Sequence, residues 1–107
     1  MVPKQQFTLS YDQATKDQLR AIPAKYHSLI RSVIEEQLLF EPESETRNRK
    51  LLQQPAPFEA TWELRLGPNN RFRVLYGVDQ KRREVQIQAI GVKKGNRLFV
   101  AGEEVEL

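Results

Sequence analysis

The stretch Trp62–Tyr76, WELRLGPNNRFRVLY, decides the fold. Two of its segments alternate apolar residues with charged ones, and the GPNN between them supplies turn residues. Such alternation is typical of strands that bury one face. One face then carries Trp62, Leu64, Leu66, Phe72, Val74 and Tyr76, and the other carries Glu63, Arg65, Arg73 and Leu75. We therefore predict a hairpin whose apolar face makes the core and whose opposite face is open and mixed, with charged groups at its centre.

The residues before this hairpin predict one strand and two helices. KQQFTLSYD, residues 4–12, alternates like a half-buried strand, and Asp12 is placed to cap a short helix over residues 13–22. Pro23 suits the first turn of a second helix. That helix has an apolar stripe at steps of three and four residues, namely Tyr26, Leu29, Ile30, Val33, Ile34 and Leu38. The stripe predicts a helix packed against the sheet.

The remaining residues predict a loop and three strands. Residues 41–57 read as a loop with two charge blocks and several prolines, and strands follow at about 59–67, 71–79 and 84–92. The tail, residues 95–107, is compatible with a short helix or a strand. The order strand, helix, helix and three strands predicts an α+β domain spanning 1–107, with two N-terminal helices on one face of a small antiparallel sheet.

Composition narrows the class of protein. The chain has 107 residues, a net charge of +3, no cysteine and no apolar run long enough for a membrane helix, so we expect a cytoplasmic protein with no membrane partner. Basic residues outnumber acidic ones between 47 and 97, which indicates a polyanionic or acidic partner, although an ordinary solvated surface explains scattered lysines equally well. No metal-ligand cluster, phosphate-binding glycine loop or nucleophile motif occurs, so we expect neither a metal nor a cofactor.

Three segments in this order resemble the RelE/ParE superfamily, the toxins of bacterial type II toxin–antitoxin modules. They are TRNRKLL, WELRLGPNNRFRVLYGVD and AIGVKKGNRLF. The resemblance covers nearly the whole chain and implies a twisted antiparallel sheet packed on two N-terminal helices. It also implies function, since RelE-like members cut mRNA in the ribosomal A site and ParE-like members poison DNA gyrase. Both kinds are silenced by a cognate antitoxin, so the implied partners are an antitoxin and, for a nuclease, the ribosome and mRNA.

The resemblance also points to a site on the open face. Arg73 stands at the family's central arginine, Arg65 at a basic position of the preceding strand, and Lys93 at a basic position after the glycine near the end of the last strand. A guanidinium can bind a phosphate through two hydrogen bonds. The residues expected to contact RNA are Arg47, Arg49, Lys50, Arg71, Lys94, Arg97 and Phe99.

Two residues depart from the family pattern. Glu63 stands where ribonucleases of the family often have a lysine, and Phe99 stands where a catalytic tyrosine is common. We count Glu63 among the catalytic candidates, either as a substitute general base or as an ion-pair partner of Arg65 or Arg73. Phe99 lacks the hydroxyl but can stack on a base.

Other conspicuous residues have structural interpretations. We expect the single histidine, His27, to pack at a surface or boundary, Trp62 to lie in the core, and the turn residues Lys81, Arg82 and Arg83 to be solvated.

Three functions follow from these residues. The first is a ribosome-dependent mRNA endonuclease that inhibits translation. The second is a toxin-family protein that acts by binding, either on gyrase or as an attenuated toxin whose main partner is its antitoxin. The third is a small interaction domain with a basic face.

Overall fold

A computed structural model describes residues 6–107 as two helices and one sheet. The predicted first strand begins at residue 4, and its first two residues lie outside the described part. The helices are α1 (Ala14–Arg20) and α2 (His27–Leu38). The strands are β1 (Thr8–Tyr11), β2 (Arg49–Leu51), β3 (Trp62–Leu66), β4 (Phe72–Asp79), β5 (Glu84–Lys94), β6 (Arg97–Val100) and β7 (Glu103–Val105). The α+β class is therefore confirmed, and the predicted order β-α-α-β-β-β is wrong.

The central hairpin forms as its alternation predicts. β3 and β4 pair antiparallel, with Trp62 opposite Tyr76 and Arg65 opposite Arg73. Between them Gly67 has a φ of 85°, a conformation that glycine adopts without strain. Trp62 is buried in the core, as expected.

The prediction of a purely antiparallel sheet is wrong for β1. The strands run in the order β2-β3-β4-β5-β6-β7, and β1 pairs with β5 in parallel, Thr8 opposite Glu84 and Tyr11 opposite Ile87. β6 pairs with the other end of β5, from Val92 to Lys94. A strand followed by a helical crossover can return parallel to a partner, and strand periodicity alone does not reveal direction.

Three short strands were not specifically predicted. β2 lies within the predicted loop 41–57, where its first residue, Arg49, pairs opposite Leu64. The tail, which was compatible with a short helix or a strand, forms the hairpin β6–β7, with Leu98 opposite Val105. Each of the three strands has only three or four residues, too few for a periodic pattern.

The helices cover one face of the sheet. The core there combines the apolar sides of β3, β4 and β5 with Ile30, Ile34 and Leu38 of α2. Buried polar contacts tie α1 and the segment after α2 to the sheet. Gln18 of α1 accepts a hydrogen bond from the Ile90 N–H at 2.8 Å, and the Tyr76 hydroxyl donates to the Pro42 carbonyl at 2.7 Å.

The opposite face is only partly open. Leu75 points there as predicted, but it is 1% exposed, because a second apolar cluster covers it. That cluster consists of Ala60, Leu75, Ala89, Leu98 and Val100, with Leu52 and Val105 packed against it. The β6–β7 hairpin and the segment after β2 thus enclose a smaller region of this face, where the charged residues lie.

His27 has the structural role expected of it. Its Nε2 lies 2.7 Å from the Leu19 carbonyl oxygen and 2.8 Å from that of Ile22. Because both partners are acceptors, Nε2 carries the proton and donates. The ring thus satisfies carbonyls at the end of α1.

The turn residue Arg83 departs from its prediction. It was expected to be solvated, but its guanidinium lies 4.1 Å from the centroid of the Phe7 ring and is half-buried. In residues 6–107, neither helix has the length and apolar content that crossing a membrane requires.

Candidate functional site

A cleft of about 580 Å³ opens on the sheet face opposite the helices. Glu63, Arg65 and Arg73, from the central hairpin, line it together with Lys93 of β5. The other lining residues are Lys50, Leu51, Leu52 and Gln53 from β2 and the segment after it, and Asn96, Arg97, Leu98, Glu104, Val105, Glu106 and Leu107 from the tail. The four residues predicted as catalytic are therefore brought together in one cleft.

Arg73 is the most buried cation of the cleft, with 5% of its surface exposed. Its Nε donates to the Asn70 carbonyl at 3.1 Å, and its Nη1 donates to Glu63 at 3.3 Å. Burial lowers the pKa of Arg73, while the Glu63 carboxylate acts in the opposite direction. These contacts hold a cation in one position on the cleft floor, which suits electrostatic stabilisation of a phosphate.

Glu63 is a buried carboxylate whose two oxygens differ. Oε1 accepts a hydrogen bond from Arg65 Nε at 2.9 Å and another from Arg73 Nη1 at 3.3 Å. Glu63 therefore forms an ion pair with both arginines. Oε2 is buried and has no hydrogen-bond partner among the described residues. Buried polar atoms are normally paired, so Oε2 is one of the few exceptions in the described residues. The position of Glu63 is compatible with a general base as well as with an ion-pair partner of the two arginines.

Lys93, Lys50 and Arg97 add positive charge around these residues. The Lys93 backbone N–H donates to the Arg71 carbonyl at 2.8 Å, which ties the end of β5 to the start of β4. Lys50 lies opposite Glu63 in the β2–β3 pair. Arg97 makes an exposed ion pair with Glu104 at 3.4 Å. Lys93 is half-buried and Lys50 is exposed.

Arg49 does not lie in the cleft, although it was predicted to contact RNA. Arg49 is opposite Leu64, so its side chain points towards the helices. There its Nη1 donates a hydrogen bond to the Gln37 carbonyl. It is 7% exposed. Strand register, which the sequence of this loop does not reveal, separates it from its neighbour Lys50. Arg47 is exposed and does not line the cleft.

Three other residues predicted to bind RNA lie outside the cleft. Phe99 is opposite Val92, a residue that packs on the helix-side core, so its ring is on the helix side of the sheet. Lys94 Nζ lies 5.6 Å from the Phe99 ring centroid, and Arg71 contacts the rings of Tyr26 and Phe72. The expected site is thus divided between two faces.

Sequence reasoning missed the tail side of the cleft. Glu104 and Glu106 line it opposite the basic residues, and Leu98 and Val105 supply apolar surface. The alternation of acids and apolar residues in Glu103–Leu107 is the signal for this strand, but it covers too few residues to be decisive.

The polar side chains of the cleft are carboxylates, two amides and cations. Within residues 6–107, no histidine or tyrosine lines it, and no group of three metal-binding side chains occurs. The arrangement can bind an anion at Arg65, Arg73 and Lys93 and accept a hydrogen bond or proton at Glu63.

Comparison with known proteins identifies a solved structure that has the same fold. No family model and no curated protein matches this chain. Among solved structures, a chain of the toxin–antitoxin complex RelBE2 from Mycobacterium tuberculosis is similar, with a TM-score of 0.67 over 83% of this chain and 93% of that one. The chain has a RelE-like fold. At 20% sequence identity the similarity establishes the fold, and it confirms at that level the resemblance read from the hairpin residues.

Proposed function

We propose that this protein is the toxin of a type II toxin–antitoxin module and that it cleaves mRNA on the ribosome. The observation that carries the proposal is the buried Arg73, fixed by Glu63 and Asn70 on a cleft floor beside Arg65 and Lys93. A preorganised cation of this kind stabilises charge that develops on a phosphate. The RelE-like fold supports the same reading, although a fold alone does not determine chemistry.

In the proposed reaction the 2′-hydroxyl of the substrate attacks the neighbouring phosphorus. Glu63 takes the hydroxyl proton on Oε2, which has no hydrogen-bond partner among the described residues. Because this oxygen is buried, the side chain must turn it towards the cleft to reach the hydroxyl. Arg73 and Arg65 bind the phosphate oxygens as charge increases. Lys93 gives a proton to the leaving 5′ oxygen, which yields a cyclic phosphate on one fragment and a 5′-hydroxyl on the other.

The test is cleavage of a defined message by purified protein with and without translating ribosomes, read by primer extension. We expect cuts within translated codons only when ribosomes translate. Arg73→Lys keeps the charge that pairs with Glu63 but loses the two-point phosphate contact, so its cleavage rate should fall roughly 100-fold.

Arg82→Lys, in the turn after β4, is the matched control and should cleave normally. A folded Arg73→Lys protein that cleaves at the wild-type rate would contradict the assignment of Arg73.

A second function is favoured by one observation, the lack of a histidine or tyrosine among the cleft residues described above. Without such an acid the protein would act by binding, either on gyrase or chiefly to an antitoxin. Growth arrest without new mRNA ends, together with a stable antitoxin complex, would support this alternative over the nuclease.

A further inference from the structure

We propose that RNA leaving the cleft continues over the end of the sheet onto a second binding surface on the helix side. This surface, the rim patch, consists of Lys25, Tyr26, Arg71, Lys94 and Phe99. The proposal rests on the proposed function, because it takes the occupant of the cleft to be single-stranded RNA. It adds a site that the cleft chemistry does not require.

The rim patch combines cations with aromatic rings. Lys25 Nζ lies 5.1 Å from the Tyr26 ring centroid, and Lys94 Nζ lies 5.6 Å from that of Phe99. Arg71 Cζ lies 5.8 Å from the centroids of both Tyr26 and Phe72. The three cations are exposed and the Tyr26 and Phe99 rings are half-buried. Surfaces that bind single strands use this combination, with cations along the backbone and rings or guanidinium planes for the bases.

The rim patch is continuous with the cleft. A shallow cavity at the end of the hairpin is lined by Arg73 and Lys93, which belong to the cleft, and by Arg71, which belongs to the rim patch. A further cavity beyond it is lined by Arg71, Lys94 and Phe99. The Lys93 N–H to Arg71 carbonyl hydrogen bond holds the crossing point in place. A strand that contacts Arg73 therefore meets basic side chains along the whole path.

The cations of the rim patch contact aromatic rings but have no acidic partner among the described residues. Within residues 6–107, Lys25, Arg71 and Lys94 form no salt bridge, and no acidic residue lines the two outer cavities. The cleft differs, because Glu63, Glu104 and Glu106 offset its cations. Unpaired cations on a path that starts at a phosphate site favour a polyanion as the occupant. The aromatic rings favour RNA over an acidic peptide, which brings charge but no bases to stack.

The test compares two single-stranded RNAs by fluorescence anisotropy on the full chain over a range of salt concentrations. An oligomer of about 4 nucleotides fits within the cleft, and one of about 12 nucleotides reaches the rim patch. In Lys25→Gln/Lys94→Gln, we expect affinity for the long oligomer to fall about tenfold. The negative slope of log K against log salt should become shallower by about 1.4, the value for two lost phosphate contacts. Affinity for the short oligomer should stay unchanged.

Lys81→Gln/Arg82→Gln is the matched control, because it removes two exposed cations at the other end of β4. Equal losses in both double variants, or an equal loss for both oligomers, would overturn the rim patch. Equal affinity of the wild-type protein for the long and the short oligomer would also overturn the rim patch. It would leave the proposed function intact. Failure to bind either oligomer would overturn the rim patch, whereas cleavage on the ribosome is decided separately by the primer-extension test.

A polyglutamate peptide provides the remaining arm of the test. If it binds as tightly as the long oligomer and loses affinity in the same way in Lys25→Gln/Lys94→Gln, the rim patch is a docking surface for an acidic protein and the RNA proposal is wrong.

Discussion

The Glu63–Arg73 pair determines the character of the cleft. Both side chains are at least nine-tenths buried, at 4% and 6% exposure, so each would carry a large desolvation cost without the other. Arg65 stands directly opposite Arg73 on the neighbouring strand, and the shared carboxylate lies between these like charges. Glu63 is therefore needed to hold two arginines close together, whatever it does to a substrate.

Glu63→Gln separates these two roles. Loss of the buried carboxylate leaves Arg65 and Arg73 as unscreened neighbours, so we expect the free energy of unfolding to fall by about 3 kcal/mol. RNA affinity should rise or stay level, since a negative charge leaves the cleft. The cleavage rate should fall by about 100-fold or more if Oε2 is the base. Urea unfolding, anisotropy and single-turnover cleavage measure the three quantities.

The control for this variant is Glu59→Gln, which removes an exposed carboxylate just before β3 and should change none of the three. A Glu63→Gln protein that is destabilised but cleaves at the wild-type rate would restrict Glu63 to positioning its arginines.

At the scale of elements, the sequence predicted what local alternation specifies. The β3–β4 hairpin, α2 and the long strand β5 each repeat a pattern over several turns or alternations, and all three are confirmed within a few residues. The parallel direction of β1 depends on β5, a partner distant in the chain. The strands β2, β6 and β7 are too short for a periodic pattern of their own.

The contrast between long and short strands also explains which residues of the candidate site could be predicted. Glu63, Arg65, Arg73 and Lys93 lie on long strands and share the face that alternation assigns. Arg49 lies on a three-residue strand, and its direction was therefore not predictable from its own segment. Phe99 and Lys94 lie where β5 and β6 pair beyond the cleft, so charge and ring type alone did not reveal their side of the sheet.

Tyr76 of β4 connects the sheet to the segment after α2, and its removal tests that connection. Tyr76→Phe leaves the buried Pro42 carbonyl unpaired, so the free energy of unfolding at neutral pH should fall by about 1–3 kcal/mol. Urea unfolding measures the change. Leu66→Met, a substitution of similar volume in the same core cluster, is a control expected to cost less than about 1.5 kcal/mol.

The same variant predicts a pH dependence. Burial raises the pKa of the Tyr76 phenol above its ordinary value of 10.0. The folded state therefore binds this proton more tightly than the unfolded state, and the associated stability is present below pH 10.0 and lost as the pH rises beyond it. Tyr76→Phe lacks this loss, so its deficit relative to wild type should shrink at alkaline pH. A deficit that stays constant would contradict a neutral, buried phenol.

At the scale of the whole molecule, the fold places the basic middle of the chain and its acidic end around one cleft. The RelE-like sheet alone does not specify a reaction, because one fold supports several functions. Lys50, Arg65, Arg73 and Lys93 face a tail that contributes Glu104 and Glu106 as well as Arg97. A polyanion entering the cleft must therefore approach two carboxylates as well as the cations.

The tail acids should weaken RNA binding, and their neutralisation tests this. Glu104→Gln/Glu106→Gln removes two negative charges from the cleft and frees Arg97 from its ion pair, so we expect affinity for short RNA to rise about fivefold at low salt. The gain should diminish as salt screens the charges, since both groups are exposed. Glu103→Gln is the matched control, because Glu103 lies on the same strand but does not line the cleft. An equal gain in RNA affinity in Glu103→Gln would mean that the effect comes from net charge and not from position in the cleft. No gain in either variant would mean that RNA does not pass the tail.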